Sequence, residues 1–278
     1  MNKGSFQELA VFIALFFAVM PCQAQSTSGG QQGAADSQEL AKKLQNPVAS
    51  LISVQFQHNF EFSAGPGDDL RYLLNFQPVI PSRLNDDWNL ITRPIFPILS
   101  VPEFTLGAGR TSGIGDVALQ LYFSPSKTEP LIWGIGPVLG FPTASDDLLG
   151  TGKWTLGPGF VGLKQSGHWT YGALVNHVWS YAGDSARGDV SSTFLQPFVT
   201  YTSKTGWSVG LNTETTRNWE APSGSRWTVP ITVSVSKVTR FGKLPVSLGL
   251  GIRSYAEAPP GSPSWGLRFV FTPLFPAK

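Results

Sequence analysis

A single cysteine, Cys22, occurs in 278 residues, and it sits within an apolar N-terminal segment. The chain beyond it has no thiol, which excludes disulfides and thiolate metal sites. Charge is scarce too: Asp, Glu, Lys and Arg make up 14% of the sequence, against roughly 25% in a soluble domain. The net charge is +2 with no basic cluster, so nucleic acid is not an expected partner. Past the N-terminal segment no apolar run reaches the roughly eighteen residues that a membrane-crossing helix needs. Histidine is limited to His58, His168 and His177, and no Gly-x-Ser-x-Gly motif is present. His177 and Ser180, the one local nucleophile–base pair, are three apart and would point to opposite faces of a strand. No enzyme, cofactor or metal site is expected.

What the chain does have is alternation. VQFQHNFEF places Val54, Phe56, Phe60 and Phe62 on one side and Gln55, Gln57, Asn59 and Glu61 on the other, with His58 interrupting the apolar side. Strand side chains point to opposite faces in turn, so this segment has one apolar and one polar face. Similar segments recur to the C-terminus. They are read at about 50–62, 70–80, 88–99, 113–123, 130–141, 153–164, 169–181, 192–203, 206–217, 226–238, 245–257 and 264–275. An even count of segments of about ten residues predicts an all-β fold: a transmembrane up-and-down antiparallel β-barrel of about twelve strands, apolar outside and polar inside. The strands around 88–99, 169–181 and 192–203 are ambiguous, because WTYGALVNHVWSY is apolar on both sides.

The organisation follows. Leu9 to Met20 form a short apolar core behind Lys3, broken by Pro21. This predicts a signal peptide over 1–24, cleaved after Ala24, and hence export to the cell outer membrane of a Gram-negative bacterium. Residues 25–47 form a polar leader, disordered over Ser26 to Asp36. Ser37 is placed to cap a short helix with Leu40 and Leu44 at i, i+4, ended by Asn46-Pro47. That helix either merely leads to the first strand or docks on or in the barrel mouth. Residues 48–278 are the barrel. SPSKTEP, QSGH, SKTG and RFGK read as short periplasmic turns, and the alternate connections as longer outer loops. Asp68-Asp69, Asp86-Asp87 and Asp146-Asp147 all fall in connections, as solvated turn residues do.

Trp88, Trp133, Trp154, Trp169, Trp179, Trp207, Trp219, Trp227 and Trp265 all lie near expected strand ends. That is where indole meets both lipid and water, so they are assigned to the membrane interface. Alternation assigns Gln57, Asn59, Glu61, Arg71, Asn75, Arg93, Asp116, Gln120, Asn212, Glu214, Arg253, Tyr255, Glu257 and Arg268 to the pore lining, with Gln55 and Gln77 beside them. Arg71, Arg93, Arg253 and Arg268 are expected opposite Glu61, Asp116, Glu214 and Glu257, either as a field across a constriction or as pairs that satisfy the interior. Glycines of the fifth strand, Gly134, Gly136 and Gly140, leave either space for a solute or room for a large opposing side chain or for curvature.

GIGDVALQLYFSP, WGIGPVLGFPTASDDLLGTGKWTLGPG, QPFVTYT and VSLGLGIRSYAE resemble a family of bacterial outer-membrane barrels, transporters related to the "MetA-pathway of phenol degradation" group. The similarity runs from about Asn46 to Pro276. It implies passage of small molecules, of aromatic or hydrophobic character, across the outer membrane. The expected partners are outer-membrane lipid and lipopolysaccharide, the barrel-assembly machinery (the last strand is aromatic-rich) and a small-molecule solute. The alternative is a structural or surface-binding barrel with a blocked lumen.

Overall fold

The computed structural model describes residues 28–103, 109–127 and 130–276. The predicted signal, with Cys22, lies outside the described residues. The chain divides into two units, Met1–Gly33 and Ala34–Lys278. Of the first, residues 28–33 are described and are helical.

Fourteen strand segments follow a helix among the described residues. They are β1 (Leu51–Ala64), β2 (Asp69–Arg83), β3 (Trp88–Val101), β4 (Thr111–Ile114), β5 (Val117–Pro125), β6 (Ile132–Phe141), β7 (Lys153–Ser166), β8 (Trp169–Gly183), β9 (Ser191–Thr202), β10 (Trp207–Thr213), β11 (Thr215–Asn218), β12 (Trp227–Phe241), β13 (Leu244–Glu257) and β14 (Trp265–Pro276). β4 and β5 both pair with β3 and form one stave; β10 and β11 both lie between β9 and β12 and form another. The result is a twelve-stave antiparallel barrel. It closes where β1 meets β14, from Leu51↔Pro276 to Phe62↔Trp265. Closure leaves no open sheet edge, so every stave has a neighbour on both sides.

Each broken stave has a local cause. Ile114 faces Ile98 whereas Ala118 faces Ile95, so three residues of the GIGDV turn oppose two on β3. This is a β-bulge at Gly115-Asp116. Between β10 and β11 the register runs from Thr213↔Ile231 to Thr216↔Thr228, which sets Glu214 opposite Pro230. Proline has no N–H to offer the ladder. A further bulge at Ala256 separates Pro230↔Tyr255 from Val229↔Glu257.

The alternation of β1 resolves as two environments. Gln57, Asn59 and Glu61 point inward and are buried, while Phe60 is exposed on the exterior. Val209, Leu211, Leu250, Leu267 and Phe269 continue that exposed apolar exterior on other staves. His58, also outward, bonds Tyr72 Oη through Nδ1 at 2.8 Å and packs beside Phe269. The tryptophans form two belts. Trp88, Trp133, Trp169 and Trp207 start or nearly start staves at the end with the short turns. Trp154, Trp179, Trp219, Trp227 and Trp265 lie at the end with the longer loops. Both barrel termini lie at the short-turn end.

The interior holds two apolar clusters. One groups Val48, Ile91, Tyr122, Val161, Leu163 and Leu174, with Phe194 and Phe198 packed against it. Gly134 and Gly159 make it possible. A Cβ on either would come to 3.2 Å from Tyr122, so the absent side chains are the space that Tyr122 fills. A Gly159→Val protein is expected to be overpacked against Tyr122 and Val138 and to lose about 1–3 kcal/mol, read as a lower urea midpoint in tryptophan fluorescence.

The second cluster brings the helix to the barrel. The helix, α1 (Ser28–Leu44), begins well before Ser37, so Ser37 lies within it rather than capping it, and the leader is helical where the sequence suggested disorder. From Ala34 onward it belongs to the barrel unit. Ala41 is buried with Ala49, Leu51, Val238 and Leu274, flanked by Leu40 and Leu44. A helix of this length and composition is marginal in water; its packed face holds it.

Candidate functional site

The barrel interior carries a charge lattice near the loop end. Glu61 on β1 stands directly opposite Arg71 on β2 and accepts from its Nε at 2.7 Å. The same carboxylate accepts from Arg253 Nη1 at 3.2 Å and from Tyr255 Oη at 2.5 Å, both on β13. Glu214, at the joint between β10 and β11, receives Arg268 as a fork, Nη1 and Nη2 each at 2.8 Å on separate oxygens. It also receives Arg253 Nη2. Arg268 Nε donates to Asn59 Oδ1 at 2.7 Å. Two carboxylates thus knit staves from β1, β2, β10, β13 and β14. Charges this buried are tolerable only when paired and hydrogen-bonded, and forked guanidinium–carboxylate contacts do both.

Towards the short-turn end lies a cavity of about 360 Å³. One wall carries amides, Gln55 and Gln57 on β1, Asn75 and Gln77 on β2, and Gln120 on β5. The facing wall is mixed: Leu174 on β8 and Phe194 and Phe198 on β9 give it an apolar patch, with Gln196 and Thr200 beside them. Arg93 projects from β3 on the amide side. Its Nη2 donates to Gln77 Oε1 at 3.1 Å and its Nη1 to Gln120 Oε1 at 3.3 Å. Its Nε is buried without a partner, as is Asn212 Oδ1 across the lumen.

Leu44, Gln45 and Pro47 line the cavity at the short-turn end. The segment is tied to the turns around it. Gln38 Nε2 contacts His168 Nδ1 at 3.1 Å, Gln165 Nε2 donates to the Lys42 carbonyl at 2.9 Å, and Thr200 Oγ1 donates to Gln45 Oε1 at 3.3 Å. Arg240 pairs with Asp36 at 3.6 Å. Asn46 Oδ1 accepts from Val48 N at 3.0 Å and turns the chain from helix to strand.

Of the residues assigned to the lining, Gln57, Asn75, Arg93, Gln120, Asn212, Glu214 and Arg268 border this cavity. Asn59, Glu61, Arg71, Arg253 and Tyr255 belong to the lattice beside it. Two sit elsewhere. Asp116 lies at the β4–β5 bulge, where its carboxylate accepts from Thr151 N at 2.6 Å, Thr151 Oγ1 at 2.8 Å and Ala144 N at 3.2 Å. It latches the 142–152 loop and faces no arginine. Glu257 shares the outward face of Val229, because the Ala256 bulge reverses the alternation after Tyr255. Beside the Asp116 latch, Lys153 Nζ donates to Asp189 at 3.2 Å and holds that loop carboxyl below its usual range.

His177 bonds Thr193 Oγ1 at 2.7 Å, and Ser180 bonds Asp189 at 3.3 Å, so the two are not each other's partners. Among the described residues no group of three His, Cys, Asp or Glu side chains is placed to hold a metal. Alternation alone missed the apolar wall. Leu174, Phe194 and Phe198 sit on the staves whose two faces are both apolar, and that double apolarity was their signal.

No protein-family model and no curated protein matches the chain. Its fold is similar to solved structures. The COG4313 outer membrane channel from Pseudomonas putida F1 aligns over 81% of this chain and 94% of that one, at 20% identity and a TM-score of 0.58. The KdgM porin aligns over 80% and 98%, at 10% identity and a TM-score of 0.41. OmpT of Vibrio cholerae aligns over 81% and 98%, at 10% identity and a TM-score of 0.36.

Proposed function

We propose that this barrel is an outer-membrane channel for small molecules, without chemistry of its own, held closed at the periplasmic mouth by its N-terminal segment. The observation that carries the reading is the cavity inside a barrel whose exterior is apolar between two tryptophan belts. An apolar exterior of this kind suits lipid, and a solvated polar interior suits passage. Twelve staves lie between the eight that side chains fill and the sixteen that leave a wide aqueous pore. The fold likeness to an outer membrane channel supports the same reading. The longer loops then face outward, towards lipopolysaccharide, and the aromatic β14 is the strand offered to the assembly machinery. Small aromatic or hydrophobic compounds suit the Phe194–Phe198 wall.

The position of α1 supports a second reading, a structural barrel whose lumen stays blocked. Single-channel recording of the refolded mature protein in planar bilayers separates the two. With residues 26–45 intact the expected current steps are small and rare; without them, discrete and severalfold larger. Silence from both proteins would overturn the channel.

A further inference from the structure

The interior charges do not balance. Arg71, Arg253 and Arg268 share Glu61 and Glu214 in direct ion pairs, whereas the hydrogen bonds of Arg93 go to the neutral oxygens of Gln77 and Gln120. Glu214, already held by Arg253 and Arg268, acts on it only at a distance. A guanidinium has five N–H donors; two hydrogen bonds engage part of this set and Nε has no partner. Taking a cation out of bulk water with neutral partners alone is costly. The chain nevertheless places this one at the cavity, between two amides that fix its plane and contribute no countercharge.

Across the cavity from the amide wall, Leu174, Phe194 and Phe198 contribute apolar surface on β8 and β9, with Gln196 between the two phenylalanines. A ligand suited to both walls has an anionic, planar head and a compact apolar body. A carboxylate matches the guanidinium fork in charge and geometry. A phosphate would match the charge, but the amide oxygens that bond Arg93 would repel its larger negative charge.

We infer that the lumen contains a binding site for small carboxylates with an apolar body, in which Arg93 takes the carboxylate and Phe194 and Phe198 take the body. Gln77 and Gln120 are positioning residues: each accepts from a terminal nitrogen and holds the guanidinium plane across the lumen. The site deepens the channel reading and depends on it for how the ligand arrives; binding itself needs only the cavity.

The experiment is equilibrium dialysis of labelled benzoate against the full mature protein, refolded in neutral detergent, with benzyl alcohol as the uncharged counterpart and empty micelles as background. Saturable binding of benzoate is expected, at least tenfold tighter than benzyl alcohol. Arg93→Gln should lower benzoate affinity at least tenfold and leave benzyl alcohol unchanged. Arg93→Lys, which keeps the charge and loses the fork, should fall between them. Compact migration on unheated gels identifies variants that have folded. Benzoate binding no tighter than benzyl alcohol, or indifferent to both substitutions, would overturn the site. Binding without any current in bilayers leaves the site standing and removes the channel; current without binding does the reverse.

Discussion

A Ser37→Cys, Gly206→Cys protein should lose its bilayer current on oxidation and regain it on reduction. The Cβ position at Gly206 lies 2.9 Å from Ser37 Cβ, while a disulfide spans about 3.8 Å between Cβ atoms, so the turn must open by about 1 Å. Gly206 has a φ of +78°, and a cysteine there adds strain of about 1–2 kcal/mol. The mature chain has no other thiol, because Cys22 falls in the predicted signal, so any redox effect belongs to the introduced pair. If α1 must leave the mouth for solutes to pass, a covalent tie leaves almost no residual conductance. Unchanged current in the oxidised protein would show that passage does not require the helix to move.

Glu61→Gln should produce the largest loss of stability of any single charge removal in the barrel. The Glu61 side chain is 1% exposed and accepts from Arg71, Arg253 and Tyr255. The amide keeps the shape, loses the charge and turns two donors towards cations. Removing one member of a buried ion pair costs about 3–5 kcal/mol, because its partner stays buried and uncompensated. The contrast is Asp86→Asn. Its pair with Arg83 sits in a turn with both side chains largely exposed, and such pairs contribute about 0–1 kcal/mol. Urea unfolding followed by tryptophan fluorescence measures both. Equal small effects would mean that water fills the lattice and screens it.

Most of the barrel could be read from the sequence because its two faces differ so sharply. Alternation in VQFQHNFEF, or in Trp227 to Val235, reports which side chains face outward and which face the lumen. The tryptophans mark where staves begin and end. Legibility ended where the backbone departs from period two. The Ala256 bulge is one residue long and moves Glu257 to the other face, with no signal in composition. Gly115-Asp116 reads as the start of a strand, yet it is a bulge whose carboxylate serves a loop. Pairing choice was equally hidden. The four arginines and four acids were expected to face one another across a constriction or to pair, but two acids left the lumen, and Glu61 and Glu214 came to serve three arginines. Arg93 was left with amides. The helix was half visible: Leu40 and Leu44 marked its apolar side, but the surface that receives them comes from Val238 and Leu274, far along the chain.

The seam between β1 and β14 sets an order of events. It joins the two ends of the barrel sequence, so the cylinder cannot shut until its final strand is in place. Bringing such distant ends together costs chain entropy on the order of 5 kcal/mol before any contact repays it, and topologies dominated by distant pairings fold slowly. The pocket that seats α1 includes Leu51 and Leu274, one from each side of that seam. It therefore exists only after the seam has zipped. The helix is the last piece to find its place, and a newly assembled barrel passes through a stage in which α1 is not yet seated.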